Sequence, residues 1–224
     1  MRGKVSEVFG SIQGEGIYLG EKQIFVRFFG CNLSCRFCDT KLDSFKEYDP
    51  QELFEEIKFH HDDYHSVAFT GGEPLLQKDF LKEILYSTCC YGYKTYLETN
   101  GTLTAELEDV IEYLDIVAMD LKFPTSTGVE KHFWQEHRDF LKVASRKQVF
   151  LKGVICESTS EEDLNEALDL IKECDKSAVL VLQPNSLEDS ALLSSKLRHF
   201  KQLCRKENIA SCVIPQMHKI IGVR

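Results

Sequence analysis

Residues 25–40 read FVRFFGCNLSCRFCDT, in which an apolar run is followed at once by Cys31, Cys35 and Cys38. An apolar run of this kind is typical of a strand that is buried on both faces, so the cysteines follow the carboxyl end of a predicted strand. A loop with the spacing C-x3-C-x2-C curls back on itself and presents its sulfurs to one side. The stretch therefore predicts a metal centre at the end of a strand.

Two kinds of metal centre are compatible with three thiols. Structural zinc normally has four protein ligands, and no further Cys or His follows Cys38 at a matching spacing. A cubane iron-sulfur cluster that is held by three thiolates leaves one iron open to a small molecule. The other six cysteines are predicted to be small core residues, because free cysteine is often buried. They are Cys89, Cys90, Cys156, Cys174, Cys204 and Cys212.

Composition limits the class of protein. The 224 residues fit one domain, and 43% of them are hydrophobic, which is enough for a sizeable core. The net charge of -9 would repel a phosphate backbone, so nucleic acid is not expected as a partner. The odd number of cysteines, the absence of an apolar signal region and the absence of a long apolar run predict a cytoplasmic protein with reduced thiols and no membrane segment.

Six short runs rich in β-branched and aromatic residues predict strands. Most are apolar on both faces, which is typical of a parallel sheet that is covered on one side and filled on the other. Helix-period segments lie between them, so strands and helices alternate. This α/β order predicts either an open doubly wound sheet or a full or partial (βα) barrel in a single domain. The runs span residues 23–30, 66–72, 94–101, 115–122, 148–155 and 178–184.

Two predicted helices have clear signals. One begins behind a capping pair of Thr159 and Glu162. Another has an apolar stripe at helical spacing, formed by Leu193, Leu197, Phe200 and Cys204. Further helices are predicted within residues 50–60, 76–87, 103–114 and 129–144.

Polar motifs follow the predicted strands, where both folds place their chemistry. They are TGGEP at 70–74, ETNG at 98–101, DLKFP at 120–124 and QPN at 183–185. Within the first motif, Gly71 and Gly72 would let backbone groups approach a ligand, and Glu73 offers a carboxylate suited to an ammonium group. These motifs place a candidate site at the carboxyl edge of the sheet, beside the cysteines.

CNLSCRFC at 31–38, together with TGGEP, resembles the radical S-adenosylmethionine (SAM) superfamily. A narrower similarity, to the 7-carboxy-7-deazaguanine synthase family, runs essentially end to end. It is carried by FGSIQGEG at 9–16, LETNGT at 97–102, LQPN at 182–185 and PQMHKIIGVR at 215–224. The resemblance implies a partial (βα)6 TIM-like barrel that forms one radical SAM domain over residues 1–224.

The resemblance also implies an activity. It is that of a lyase that converts 6-carboxy-5,6,7,8-tetrahydropterin to 7-carboxy-7-deazaguanine with loss of ammonia, in the biosynthesis of queuosine and other 7-deazapurines. The implied cofactors are a [4Fe-4S] cluster, SAM and Mg2+, and the implied partners are a reductant such as flavodoxin or ferredoxin and a second copy of the chain in a homodimer.

Site residues are carried over from the same resemblance. Cys31, Cys35 and Cys38 would bind the cluster, and Thr40 would bind Mg2+. The residues implied to bind SAM are Phe37, Cys38, Gly72, Glu73, Glu98, Asp120, Lys122 and Gln183. Those implied to bind the pterin are Ile12, Gln13, Gly14, Glu15, Arg27, Thr70 and His218.

Two of these assignments carry additional considerations. Several family members have Ser-Pro-Lys where this chain has Asp120, Leu121 and Lys122, so the role of Lys122 transfers better than that of Asp120. Arg27 is a charge within an apolar strand and needs a partner, and the carboxylate of a carboxylated pterin would be one.

Two other functions are compatible with parts of the sequence. An activase that installs a glycyl radical on a partner enzyme shares the cysteine triad and the GGEP loop, and it predicts a groove for docking a protein. A binding module with structural zinc accounts for the cysteines without catalysis. Pterin-stimulated cleavage of SAM would separate the synthase from the activase, and iron and sulfide analysis would separate the cluster from zinc.

Overall fold

The computed structural model describes residues 1–40, 43–60 and 63–222, so the last two residues of the PQMHKIIGVR motif, Val223 and Arg224, lie outside it. Within this part of the chain, nine strands form one sheet. They are β1 (Gly3–Ile12), β2 (Lys22–Phe28), β3 (Lys46–Tyr48), β4 (Ser66–Gly71), β5 (Thr95–Thr99), β6 (Ile116–Leu121), β7 (Gln148–Ile155), β8 (Val179–Pro184) and β9 (Ser211–Val213).

The helices occur between these strands and at the end of the described chain. Short 3₁₀ turns, Pro74–Gln77 and Ile111–Tyr113, precede the second helix and follow the third. None of the described helices combines the length and the apolar character that crossing a membrane requires. The helices are α1 (Pro50–Phe59), α2 (Lys78–Cys90), α3 (Thr104–Val110), α4 (Pro124–Thr127), α5 (Trp134–Ala144), α6 (Glu161–Cys174), α7 (Ser190–Lys206) and α8 (Met217–Ile221).

The sheet has the strand order β3-β1-β2-β4-β5-β6-β7-β8-β9. Seven strands are parallel to their neighbours in this order, namely β2, β4, β5, β6, β7, β8 and β9. A helix lies in the chain between each of the first six of these strands and the one that follows it. The partial (βα)6 barrel is therefore confirmed, and all six predicted strands are present. Strands β1 and β3, which pair antiparallel at one edge, and the short β9 were not predicted.

The ends of the helices follow local sequence signals, with one correction. The carboxylate of Asp49 accepts the N–H of Glu52 at the start of α1, and Pro50 occupies its first turn. The predicted capping pair of Thr159 and Glu162 is wrong. Ser160 caps α6, because the hydroxyl of the buried Thr159 accepts the N–H of Cys156 instead.

The two faces of the sheet bury different sets of side chains. The larger core lies between the sheet and the helices, and it includes the four residues of the predicted α7 stripe. A smaller apolar cluster fills the concave face, as expected for a sheet that is covered on one side and filled on the other. Its buried members are Phe9, Phe25, Ala68, Tyr96, Ile116, Ala118, Phe150 and Val181.

Six polar residues lie on the same concave face, each two positions nearer the carboxyl end of its strand than a residue of the apolar cluster. Side chains two residues apart in a strand point to the same side, so the residue two positions after each inward apolar residue also faces inward. On β2, β4, β5, β6, β7 and β8 these positions form a polar ring above the apolar floor. The ring consists of Arg27, Thr70, Glu98, Asp120, Lys152 and Gln183.

Candidate functional site

A cavity of about 600 Å³ opens above the polar ring at the carboxyl ends of the parallel strands. Its walls come from the ring, the cysteine loop, the loop after β1, and the end of the described chain. A cavity of this size is typical of small-molecule sites. Every residue that the resemblance assigned to a site lines the cavity, except Glu73.

The three thiols of the cysteine loop lie in the wall of this cavity. Burial raises the pKa of Cys31, and the backbone N–H of Leu33, which donates to Cys31 Sγ over 3.4 Å, offsets part of this increase. Burial raises the pKa of Cys35, while the nearby Lys122 ammonium lowers it and the charges of Cys31 and Cys38 add to the increase. The six other cysteines do not line the cavity. The prediction that they are core residues is confirmed for Cys156 and Cys204, which are buried, and is wrong for Cys90, which is exposed.

The distances between the sulfurs distinguish the two kinds of metal centre. Among the described residues, one set of Cys, His, Asp and Glu side chains has all its ligand atoms within 4.8 Å of one another, and it contains no cysteine. At least two of the three sulfurs are therefore more than 4.8 Å apart. One zinc ion with Zn–S bonds of about 2.3 Å cannot span two sulfurs separated by more than about 4.6 Å. A cubane fits better, because each thiolate binds a different iron.

Glu73 is the residue that does not reach the cavity. Its carboxylate accepts hydrogen bonds from the backbone N–H groups of Asn100 (2.7 Å) and Leu75 (3.1 Å) and from the hydroxyl of Thr99. Burial raises the pKa of this fully buried carboxyl to about 7. Glu73 therefore joins the turn after β4 to the end of β5, and the structure does not support a direct contact with a ligand ammonium.

Gly72 is a glycine because of a contact within the chain. A Cβ on Gly72 would lie 1.8 Å from the carbonyl oxygen of Gly30, immediately before Cys31. That same oxygen accepts the N–H of Glu73 over 2.8 Å. The turn after β4 is thus packed directly against the start of the cysteine loop, and the close approach of the two backbones leaves no room for a side chain at residue 72.

Glu98 lies among the residues assigned to the pterin, although it was itself assigned to SAM. Its carboxylate accepts hydrogen bonds from Gln13 Nε2 over 2.9 Å and from Thr70 Oγ1 over 2.7 Å. Gln13 is buried, and its Oε1 accepts the backbone N–H of Glu15. The amide of Gln13 is therefore held in one orientation by the loop after β1 and by β5.

Arg27 has a partner within the chain. Its guanidinium donates to the carboxylate of Glu7 over 2.9 Å, and it lies 5.2 Å from the ring centroid of Phe9. Glu7 faces Arg27 across the antiparallel pair of β1 and β2. Arg27 therefore does not need a substrate carboxylate to balance its charge, as was expected, although its guanidinium still lines the cavity.

A buried network of charges crosses the cavity, and sequence analysis missed its central member, Lys152. The ammonium of Lys152 binds Glu15 Oε2 and, over 3.2 Å, Asp120 Oδ1. Asp120 also pairs with Lys122 over 2.8 Å. Burial by itself would lower the pKa of Lys152, but Asp120 and Glu15 outweigh it and hold the pKa well above its usual value. A signal was available, since Lys152 is a charge within a predicted strand, two residues after the aromatic Phe150.

The end of the described chain closes one side of the cavity. Gln216 Nε2 donates to Glu15 Oε1 over 2.7 Å and to Asp39 Oδ2 over 2.9 Å, and Lys219 pairs with Asp39 over 2.6 Å. His218 packs against Gly14 in the loop after β1. Glu15, Asp39 and His218 form the set with ligand atoms within 4.8 Å, but the two carboxylates already have donors in this network.

Two further residues indicate that the cavity is suited to a cofactor. The Lys122 ammonium lies 5.7 Å from the ring centroid of Phe37, in the cysteine loop. Gln183 is buried, and its Oε1 has no hydrogen-bond partner among the described residues. A buried carbonyl oxygen without a donor is unfavourable. The three thiols and this acceptor are donor types that fit a cluster and a polar organic ligand bound beside it.

Comparisons with known sequences extend over the whole chain. A model of the Radical SAM superfamily matches residues 25–171. A 7-carboxy-7-deazaguanine synthase from Geobacter sulfurreducens is 32% identical, and the match covers 98% of this chain and 97% of that protein. A protein of the same name from Thermoplasma acidophilum is 35% identical over 97% of this chain and 96% of its own length.

Solved structures agree on the fold. The crystal structure of QueE from Escherichia coli matches with a TM-score of 0.68 and 20% identity, over 95% of this chain and 93% of that one. A domain of a pyruvate-formate lyase-activating enzyme from Bacteroides vulgatus matches with a TM-score of 0.54 and 16% identity, over 66% of this chain and 98% of that one. At such identities these two similarities carry the fold alone.

Proposed function

The chain belongs to the radical SAM superfamily and, within it, to the 7-carboxy-7-deazaguanine synthase family, and from this premise we propose that it converts 6-carboxy-5,6,7,8-tetrahydropterin to 7-carboxy-7-deazaguanine with loss of ammonia. It is a radical SAM enzyme with a [4Fe-4S] cluster and SAM as cofactors. The observation that carries the proposal is that the three thiols and the residues assigned to the pterin line one cavity.

The bound cluster and SAM supply the one-electron chemistry that starts the rearrangement of the pterin ring. The residues of the chain bind and orient. Cys31, Cys35 and Cys38 hold the cluster as thiolates at one side of the cavity. The guanidinium of Arg27 suits an anionic carboxylate. Both N–H groups of the Gln13 amide are donated within the chain, to Gln23 and Glu98, so Gln13 offers a pterin only the second lone pair of its carbonyl oxygen.

Water must be kept from a radical reaction, and the end of the chain is placed to exclude it. Residues Gln216, His218 and Lys219 line the cavity beside the cysteine loop. They belong to a segment that also binds the loop after β1, since the N–H of Met217 donates to the carbonyl of Gly14 over 2.9 Å. A cavity closed in this way suits a small molecule better than the protein segment that a glycyl-radical activase must admit.

The proposal has five finer parts. Mg2+ would bind the hydroxyl of Thr40, which lines the cavity next to Asp39. A flavodoxin or ferredoxin would reduce the cluster. A second copy of the chain would complete a homodimer. The free cysteines suit a cytoplasmic location, where thiols stay reduced. The radical SAM domain would extend from residues 25–171 to the whole chain, 1–224, because β1 and α8 both contribute to the cavity.

Anaerobic reconstitution tests the function. The cluster-loaded protein is incubated with reductant, SAM, Mg2+ and the carboxylated tetrahydropterin, and the products are identified by mass spectrometry. We expect 7-carboxy-7-deazaguanine, its loss in Cys35→Ala, and its retention in Cys90→Ala, whose exposed thiol lies outside the cavity. Cleavage of SAM without conversion of the pterin would contradict the substrate, and one zinc per chain without sulfide would contradict the cluster.

A further inference from the structure

Lys152 is the cation at the centre of the cavity's charge network. It stands at the midpoint of β7, its side chain is 11% exposed, and it lines the cavity. Within the described part of the chain its ammonium has two hydrogen-bonding partners, the carboxylates of Glu15 and Asp120. An ammonium has three donors, so one remains for the cavity.

The two partners of Lys152 belong to different halves of the site. Asp120 is the penultimate residue of strand β6 and pairs with Lys122, in the half assigned to SAM. Glu15 lies in the loop after β1 and accepts a hydrogen bond from Gln216, in the half assigned to the pterin. Lys152 is thus the direct link between a cofactor-side carboxylate and a substrate-side carboxylate.

Electrostatics make this link strong. The carboxylate of Glu98 is a third anion that acts on Lys152, after Asp120 and Glu15. Two carboxylates that share a buried cation are sensitive to one another, because the interaction between charges is weakly screened in a site of low dielectric. SAM carries a net positive charge, so SAM beside Asp120 offsets that carboxylate and leaves more of the Lys152 charge to attract Glu15 and an anionic ligand near it.

We propose that Lys152 couples the two halves of the cavity, so that SAM bound on the side of Asp120 strengthens the binding of the carboxylated pterin on the side of Glu15, and the reverse. The inference rests on the proposed function. Lys152 acts as a positioning residue through its two carboxylate partners. Because such coupling is reciprocal, either ligand can be used to measure it.

The test measures binding of SAM to the anaerobic, cluster-loaded protein by calorimetry, without pterin and with saturating 6-carboxy-5,6,7,8-tetrahydropterin and no reductant. In the unaltered protein we expect the pterin to lower the Kd of SAM by at least about fivefold, the lower end of typical couplings. In Lys152→Met the two Kd values should become equal. Lys152→Arg, which keeps the charge and the donors, should retain most of the ratio.

Lys196→Met is the matched control. The ammonium of Lys196 binds the backbone carbonyls of Cys156, Glu157 and Thr159, so its removal weakens the protein without touching either carboxylate. It should keep the ratio of Kd values even where both values rise. If Lys152→Met does not fold, Lys152→Gln provides the uncharged variant.

The possible outcomes separate the two proposals. The coupling role of Lys152 is overturned if the pterin still lowers the Kd of SAM in the uncharged variant. It is also overturned if the pterin does not change the Kd of SAM in the unaltered protein. Lower affinity for both ligands with an unchanged ratio means that Lys152 only stabilises the fold, and this also overturns it. Failure of the unaltered protein to convert the pterin, whatever the ratio, overturns the proposed function instead.

Discussion

Two buried groups beside the cavity should give the stability of the protein opposite dependences on pH. Glu73 and His137 are both fully buried. Glu73 lies in the turn after β4, and His137, in α5, contacts backbone groups of Gly101 and Lys122, which follow β5 and β6. Burial raises the pKa of Glu73 from 4.5 to about 7, and it lowers the pKa of His137 from 6.5 to about 4. The variants Glu73→Gln and His137→Gln, which do not titrate, separate the two effects.

The hydrogen bonds of His137 independently show its neutral form. The N–H of Lys122 donates to Nε2 over 3.0 Å, so Nε2 carries no proton, and Nδ1 donates to the carbonyl of Gly101 over 3.0 Å. Between pH 4 and 6.5 the unfolded chain binds a proton at His137 that the folded protein does not. The contribution of His137 to the free energy of unfolding is therefore complete above pH 6.5 and is lost as the pH falls towards 4.

Glu73 has the opposite sign. Between pH 4.5 and 7 the folded protein keeps a proton on Glu73 that the unfolded chain has lost. The stability that this proton represents is complete below pH 4.5 and is lost as the pH rises through 7. Each group shifts by 2.5 pH units, which corresponds to roughly 3 kcal/mol in total and about 1.4 kcal/mol per pH unit. Between pH 4.5 and 6.5 the two contributions should nearly cancel.

The measurement is urea unfolding of the cluster-free protein, followed by far-UV circular dichroism at pH 4.5, 5.5 and 6.5. Relative to the unaltered protein, the stability of Glu73→Gln should rise by about 1.4 kcal/mol per pH unit, and that of His137→Gln should fall by the same amount. Glu108→Gln and His199→Gln, at side chains that are about half exposed, are the matched surface controls. If the free energy of unfolding of Glu73→Gln and His137→Gln changed with pH as it does in the unaltered protein, the reasoning would be refuted.

Three other substitutions test the site, and a fourth, Gly92→Ala, is the control for the first. Gly72→Ala places a Cβ 1.8 Å from the carbonyl oxygen of Gly30, so the cysteine loop that begins at Cys31 must shift. We expect the iron and sulfide content and the affinity for SAM to fall at least about tenfold, and overpacking to lower the free energy of unfolding by roughly 1–3 kcal/mol. Gly92→Ala, at φ 90° with open space around it, should lose about 1–2 kcal/mol in urea unfolding and keep the cluster. Gln183→Leu removes a buried carbonyl oxygen that has no donor, so it should stabilise the ligand-free protein by about 1 kcal/mol in urea unfolding. The same substitution should weaken the binding of SAM or the pterin in calorimetry. A lower stability of the ligand-free variant would contradict this reasoning. Arg27→Lys keeps the charge but loses the planar fork, so steady-state kinetics should show KM for the pterin raised about tenfold with kcat changed less, and an unchanged KM would exclude Arg27 from pterin binding.

The unpredicted strands were the ones with weak local signals. Strand β1 (Gly3–Ile12) mixes polar, glycine and apolar residues, and it becomes a strand because it pairs with β2 over seven residue positions. Strand β9 (Ser211–Val213) has three residues and exists only as the next parallel neighbour of β8. Local propensity is too weak for either, since a short or mixed strand is stabilised by its partner.

The motifs predicted where the site lies better than what each residue contacts. Glu73 was expected to meet a ligand, and it binds backbone groups of the neighbouring strand end instead. Arg27 was expected to need a ligand carboxylate, and Glu7 of β1 supplies one. In both cases the residue type was informative, but the partner came from a neighbouring strand: the unpredicted β1 for Arg27, and the end of β5 for Glu73.

The amino-acid sequence by itself determined the alternation of strands and helices, the edge of the sheet that carries the chemistry, and the cysteine loop, because these depend on periodicity and on residues close together in the chain. Only the tertiary structure decided how the charges pair. Lys152 meets Glu15 across 137 positions, and Gln216 meets the same carboxylate across 201. Such contacts form only when the concave sheet brings its strands together and residues 216–219 pack beside them, and no local pattern encodes contacts between residues so far apart in the chain.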